Sequence, residues 1–303
     1  MSYPSPISNL IDKTDGLGQI IYADHINDIH TALRGLNTVL GDAPQGNLSD
    51  LQSRLEVLTN SDGKIIGLGN VVFVGKEGFA FSTIQSAIDS ITTQSISNIF
   101  QVLVFPGVYE ETVTLKHYVS VYALSNSVSS IFSGTYYCPT TIKAPAGQNA
   151  IAGSYGDISN FKIFSSQSQP AITQTTGSFR ISNCLVHTSG SGNCVNFSGT
   201  TLLATGCTFI GEDSIPIVLS GGNHMIERST IEDAGGYGSW TLSNGATIKL
   251  LFSAVSDQNG APPVPSGCKC VANFTAFTSY PSGAGTVTLG TMSGTCGTLN
   301  IEP

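Results

Sequence analysis

Charge is scarce in this chain. Asp, Glu, Lys and Arg make up 11% of its 303 residues, against about a quarter in ordinary soluble domains. The few charges are unbalanced: 20 acids against 12 bases leave a net charge of −8, which speaks against nucleic acid or an anionic membrane as partner. Long apolar runs are missing too. None approaches the roughly eighteen residues a membrane-spanning helix needs, so no membrane insertion is expected. The opening Met1-Ser-Tyr-Pro-Ser-Pro has neither a basic start nor an apolar stretch, so no secretory signal is expected. The seven cysteines are an odd number and make no disulfide framework. Cys268 and Cys270, as Cys-Lys-Cys without a nearby His, are too few for a closed zinc site. No metal site is expected there, and the role of that pair stays open.

What the chain does have is a phrase that returns. Ile158-Ser-Asn-Phe-Lys-Ile163, Ile181-Ser-Asn-Cys-Leu-Val186, Ala204-Thr-Gly-Cys-Thr-Phe209, Ile226-Glu-Arg-Ser-Thr-Ile231 and Leu250-Leu-Phe-Ser-Ala-Val255 follow one another at intervals of 23, 23, 22 and 24 residues. A repeat of that length with strand-like alternation marks a solenoid of short β-strands; an ordinary β-sandwich is the competing reading. Asn160, Asn183 and Gly206 hold the third place, and these residue types tolerate the left-handed backbone region. A one-residue corner between two strands is therefore predicted, relaxing where Arg228 and Phe252 take that place. After the corner the fourth and sixth places point inward by the two-residue strand period. The sixth column is Ile163, Val186, Phe209, Ile231 and Val255; the fourth is Phe161, Cys184, Cys207, Ser229 and Ser253. A preceding strand supplies Ile151, Ile172, Val195, Ile217 and Trp240 as a further inner column, which assigns Trp240 to the core.

Three regions are distinguished. Residues 1–65 form an N-terminal helical region for assembly or attachment, with a seam of Ile26, Ile29, Leu33, Leu36 and Leu40 at alternating three- and four-residue spacing. Asp24 is its N-cap and Gly41 its stop. A second run, Leu48, Leu51, Leu55 and Leu58, repeats the seam. Each is short for a lone helix, so the seam packs on other subunits or folds back as a hairpin. Residues 66–258 are the solenoid, opened by a helix with a Ser82-Thr-Ile-Gln85 capping box and an apolar face of Ile84, Ala87, Ile88 and Ile91. That helix is expected to cover the first open edge of the coil. Residues 259–303 follow the break Asn259 to Gly267 and alternate like strands; they cap the last coil or knit three chains together.

Two resemblances add to this. Phe81-Ser-Thr-Ile-Gln-Ser-Ala-Ile88 with Val102-Leu-Val-Phe-Pro-Gly-Val-Tyr-Glu-Glu-Thr-Val-Thr-Leu115 resembles the beginning of the right-handed β-helix of pectin-lyase-like proteins, most of all pectin methylesterases. Gly18-Gln-Ile-Ile-Tyr-Ala-Asp-His-Ile-Asn-Asp-Ile-His30 through Gly41 resembles the leading segment of tailed-phage virion proteins. Together they imply an all-β chain, a right-handed parallel β-helix, on the surface of a virion: a tailspike, a fibre or a fibre-like capsid decoration. The resemblance also implies a homotrimer that meets other virion proteins through its N-terminal region. No Gln-Asp-Thr or Asp-Phe-x-Phe-Gly segment occurs, so the methylesterase chemistry is not carried over. Nor is that of calcium-dependent pectate lyases, the coils having few basic groups beyond Arg180, Arg228 and Lys249.

One constellation of acids remains. The loop after the sixth place holds His187, Glu212, Asp213, Glu232, Asp233 and Asp257. Registry would put Glu212 and Asp233 on neighbouring coils, about 5 Å apart, and Glu212 and Asp257 roughly 10 Å apart. Those separations bracket the carboxyl pairs of retaining and inverting glycosidases. Three readings stay open: a catalytic set of Glu212 with Asp233 or Asp257, ordinary surface acids, or a calcium site. His187, Asp213 and Glu232 would then face a glycan. No other cofactor is expected. The expected work is presentation of a shaft that adheres to host-surface polysaccharide; the alternatives are a depolymerase of capsule or lipopolysaccharide and a purely structural capsid cement protein.

Overall fold

The computed structural model describes residues 67–289, apart from 125–127, 131–134, 154, 259–261, 274 and 279–282. The seam from Ile26 to Leu58 lies outside the described residues. Within them, three sheets wrap one interior as a parallel β-solenoid, with eleven, eight and six strands. One turn shows the order. Gly156–Ser159 lies in the eleven-stranded sheet, Asn160 makes the corner, and Lys162–Ser165 lies in the eight-stranded sheet. Ile172–Gln174 lies in the six-stranded sheet, and Ser178–Ser182 begins the next turn.

The predicted columns stand. Ile163, Val186, Phe209, Ile231 and Val255 pair in register and none is more than 2% exposed. Ile151, Ile172, Val195, Ile217 and Trp240 do the same on the six-stranded sheet. Trp240 is buried and its indole Nε1–H donates to the Pro263 carbonyl. A third column on the eleven-stranded sheet, Val102, Val121, Ile158, Ile181, Ala204, Ile226, Leu250 and Ala272, is wholly buried. Each Val, Leu or Ile of these columns stabilises the coil by about 1.5–3 kcal/mol through burial.

The corner does not relax. Asn160, Asn183, Gly206, Arg228 and Phe252 all have positive φ, at 69°, 51°, 65°, 49° and 48°. The expectation for Arg228 and Phe252 fails because the strands on both sides pair with the coils above and below. Each corner amide also donates to a carbonyl of the next coil, as Arg228 does to Leu251 at 2.9 Å. A non-glycine residue is held there at a cost of about 1–2 kcal/mol.

Behind the corner, the four fourth-place side chains that follow Phe161 form a ladder. Each one donates to the carbonyl two residues earlier in its own coil: Cys184 to Ser182, Cys207 to Thr205, Ser229 to Glu227 and Ser253 to Leu251. Three of them also accept an amide from the coil before: Phe161 N–H donates to Cys184 Sγ at 3.5 Å, Cys207 N–H to Ser229 Oγ at 3.0 Å, and Ser229 N–H to Ser253 Oγ at 3.3 Å. Small polar residues recur there because they satisfy backbone groups that the bend removes from the sheets. Cys184 and Cys207 are free thiols, and burial pushes the Cys207 thiol up to about 12. They remain protonated rungs.

At the N-terminal end, helix α1 (Ile84–Ser90) buries Ile84, Ala87 and Ile88 against Val71–Val74, Phe100–Val104 and Val113–Leu115. Its N-cap is Thr83 rather than Ser82, its hydroxyl accepting from Ser86 N–H. The box does not close. Gln85 Oε1 accepts instead from Thr114 N–H, and the Glu111 carboxylate takes the Ile84 and Gln85 amides at 2.8 Å each. An acid from the bend between the strands Gly107–Glu110 and Val113–Leu115 thus does the work assigned to Gln85.

The sheets do not stop at residue 258. Lys269–Asn273, Ala276–Phe277 and Thr286–Leu289 pair in parallel with the strands before them. A two-stranded antiparallel ribbon, Val128–Ser130 with Thr135–Tyr137, interrupts the coil between Val119–Ala123 and Thr140–Lys143. Nothing in the repeat signalled it.

Candidate functional site

The acidic edge is not assembled as registry suggested. Asp233 pairs with Gly211, not Glu212, and is fully buried, while Asp257 is 7% exposed. Both stand two places after the inward sixth position, so the strand period turns them inward with Ser165 and Thr188. Asp233 accepts the Tyr237 and Gly238 amides at 2.9 Å each, and Asp257 accepts the Ser239 amide at 2.9 Å. They tie turns together. Glu212 does face solvent and meets His187 Nε2 at 2.8 Å. The His187 ring tilts against Phe164 with centroids 5.4 Å apart. Asp213 is exposed, and Glu232 lies on the outer column between Ile210 and Ser256. Of the acids set beside Glu212 in that reading, Asp233 and Asp257 are turned inward, while Asp213 and Glu232 stay on the outer side. Among the described residues, no three His, Cys, Asp or Glu side chains gather as a metal site would require.

A different group of residues is brought together on the outer face of the eleven-stranded sheet. Its floor is the register row Ser120, Asp157, Arg180 and Leu203, all pointing outward because Val121, Ile158, Ile181 and Ala204 point in. One wall comes from two stacked turns. The turn after Leu115 carries His117 and Tyr118, and the turn after Gly153, one coil on, carries Tyr155. The His117 ring stacks on Tyr118 at 3.8 Å and on Tyr155 at 4.5 Å, nearly parallel to both. Tyr118 reaches this place from a left-handed backbone, φ 63°, and Tyr155 is 42% exposed. The equivalent turns of the next coils, Thr175-Thr-Gly177 and Ser198-Gly-Thr200, carry only small side chains, so the groove lies open beyond the aromatic wall. Its volume is about 380 Å³, within the range of small-molecule sites.

The polar groups of the groove are arranged loosely. Arg180 Nε lies 3.7 Å from Asp157 Oδ1, with the Arg180 side chain 59% exposed. Burial raises the Asp157 pKa above the usual carboxylate value, and Arg180 offsets part of that rise. Lys116, at the rim, donates to the Ile88 and Ile91 carbonyls at the C-terminal end of α1. Reading the sequence alone missed this site. The available signal was an aromatic residue in each of two turns that occupy the same place on successive coils.

No family model matches the chain, and no characterised protein matches it in sequence. Among solved structures, the fold superposes on ORF18 of Geobacillus virus E2 with a TM-score of 0.43 and 10% sequence identity. The match covers 89% of this chain and 64% of that one.

Proposed function

We propose that this chain is a trimeric virion-surface protein whose β-helix, of the right-handed pectin-lyase-like kind, serves as a shaft for adhesion to polysaccharide. The observation that carries the adhesive part is the stack of half-buried Tyr118 with exposed His117 and Tyr155 beside a polar floor. Aromatic faces present a flat apolar surface to the C–H face of a sugar ring, and adjacent hydroxyl, carboxylate and guanidinium groups meet its hydroxyls. The open, shallow groove suits a chain that runs across it better than a compact metabolite. The placement on a virion, with the helical seam gathering three copies, rests on the resemblance of residues 18–41.

Titrating the full chain against host-surface polysaccharides by calorimetry tests the adhesive reading. Tyr155→Ala should weaken binding by about five- to thirtyfold, the loss expected for one stacking side chain of 1–2 kcal/mol. Because Tyr155 is exposed, the melting temperature should stay within about 1 °C of the parent. Absence of binding to any polysaccharide, or binding indifferent to both Tyr155→Ala and Tyr118→Ala, would overturn it. Assembly is checked separately by sedimentation: a species of three times 31.5 kDa is expected at micromolar concentration, and a monomer would refute the trimer.

A further inference from the structure

We infer that the outer wall formed by the six-stranded sheet is the face that three copies of this chain turn toward one another; this rests on the trimeric reading above. The first support is where charge is absent. The runs 144–156, 163–179, 181–211, 214–226 and 234–248 contain no Asp, Glu, Lys or Arg. Each of them carries one strand of the six-stranded sheet, from Ile151–Gly153 to Trp240–Ser243. The other two walls are charged. Asp157, Arg180 and Lys249 lie on the eleven-stranded sheet, and Lys143, Lys162 and Glu232 on the eight-stranded one. When copies stand side by side about a threefold axis, each residue near the axis meets its own equivalents. Like charges in that place repel, so a wall turned to the axis has to be free of them.

The second support is the kind of side chain on that wall. Its outward column is Thr114, Ala152, Thr173, Asn196, Val218 and Thr241, paired in register. These residues point away from the core because their neighbours along the strand, such as Ile172 and Gln174, point in. A hydroxyl or a carboxamide both donates and accepts, so each can bond its own copy, which a charged group cannot do. The Asn196 carboxamide is half-buried and has no hydrogen-bond partner among the described residues. Ala152 and Val218 remove apolar surface from water in the same contact.

The third support is size. Strands of three or four residues make a wall about 10–13 Å wide, and three such walls facing a common axis leave roughly 3–4 Å between each wall and the axis. A threonine or an asparagine fits that space. Tyr122, Lys162, Arg180 and Met225, which occupy outward places on the other walls, do not. Six strands stack to about 29 Å, so each copy contributes on the order of 300 Å², below the roughly 800 Å² per partner of a lasting interface. The wall therefore aligns copies that the helical seam gathers, and the aromatic groove, on a different sheet, stays open to solvent.

The test uses the full chain, sized by sedimentation and then treated with a short bismaleimide. Asn196→Cys and Thr241→Cys each place a thiol on the wall, and Thr208→Cys places one outward on the eight-stranded sheet. All are read against the parent, whose own thiols include the half-buried Cys138. Thiols that meet their own copies face an effective concentration near millimolar. At micromolar chain, covalent dimers should form on the order of a thousandfold faster in Asn196→Cys and Thr241→Cys than in Thr208→Cys. Adding Thr173→Glu or Thr173→Lys to Asn196→Cys should slow that linking by on the order of tenfold, since like charges are forced together. Co-expressing the two charged variants, so that opposite charges meet, should restore it. A monomer in sedimentation overturns the trimeric reading and this inference with it. A trimer in which neither Asn196→Cys nor Thr241→Cys links faster than Thr208→Cys overturns the inference alone, the second position guarding against a variant that does not fold. Linking that ignores the charges at position 173, or that the mixed chains do not restore, shows that the wall does not meet itself and overturns the inference as well.

Discussion

Replacing Ser229 by alanine removes one rung of the corner ladder and leaves its surroundings otherwise intact. In the parent, Ser229 Oγ accepts the Cys207 amide at 3.0 Å and donates to the Glu227 carbonyl at 2.7 Å. The Cys207 amide lies where the strands bend and has no other acceptor among the described residues, whereas the Glu227 carbonyl keeps the Gly206 amide at 2.9 Å. Ser229 is 4% exposed and Cys207 1%, which keeps water from substituting. A buried amide left without an acceptor costs about 1–3 kcal/mol. For a domain of this size that lowers the melting temperature by about 3–9 °C. Hydrogen exchange gives a sharper readout, because the Cys207 amide in particular should lose protection while the Ile231 amide on the adjoining strand keeps it. Ser229→Cys should cost much less, since cysteine occupies the same rung at 184 and 207 with the same pattern of bonds. Thr230→Ala, one place on and facing outward, is the control and should change stability by no more than about 0.5 kcal/mol. An unchanged melting temperature and unchanged Cys207 protection in Ser229→Ala would refute the ladder as a source of stability.

His224 makes the coil acid-sensitive. Its ring is fully buried, Nδ1 accepts the Leu202 amide at 3.2 Å, and Nε2–H donates to the Gly221 carbonyl. Burial lowers its pKa in the folded chain, so the unfolded chain binds a proton more readily, with a value near 6.5. This stability is complete above about pH 6.5 and is lost as the pH falls below it. Between pH 7 and 5 the melting temperature should drop further in the parent than in His224→Gln, and equal drops would refute the assignment. The amide of Gln174 is buried, and neither Oε1 nor Nε2 has a partner among the described residues; Gln174→Leu should raise stability by about 1–3 kcal/mol in urea unfolding, and a loss would show that the amide is satisfied. Arg228→Asn should stabilise by about 0.5–1 kcal/mol, asparagine accepting the left-handed corner more readily, while the exposed pair with Glu227 that it gives up is worth little.

The sequence by itself determined the coil. Ile163, Val186, Phe209 and Ile231 are separated by nearly constant intervals, and a strand has only two faces, so like residues had to stack once the period was seen. The same rule taken one step past the sixth place would have turned Asp233 and Asp257 inward. Reading them as loop acids stopped the alternation too soon. Only the tertiary structure decided that the corner stays left-handed at Arg228 and Phe252, because neighbouring coils impose their pairing on a residue whose own preference is weaker. It alone placed Glu111 on the helix amides in the stead of Gln85, a choice made by the return of the chain in a bend 26 residues or more further along. The aromatic groove likewise belongs to the tertiary structure. Tyr118 and Tyr155 sit in turns separated by an irregular coil and an interrupting ribbon, where no period reports which turn lies above which, and only the stacking of the coils closes that distance.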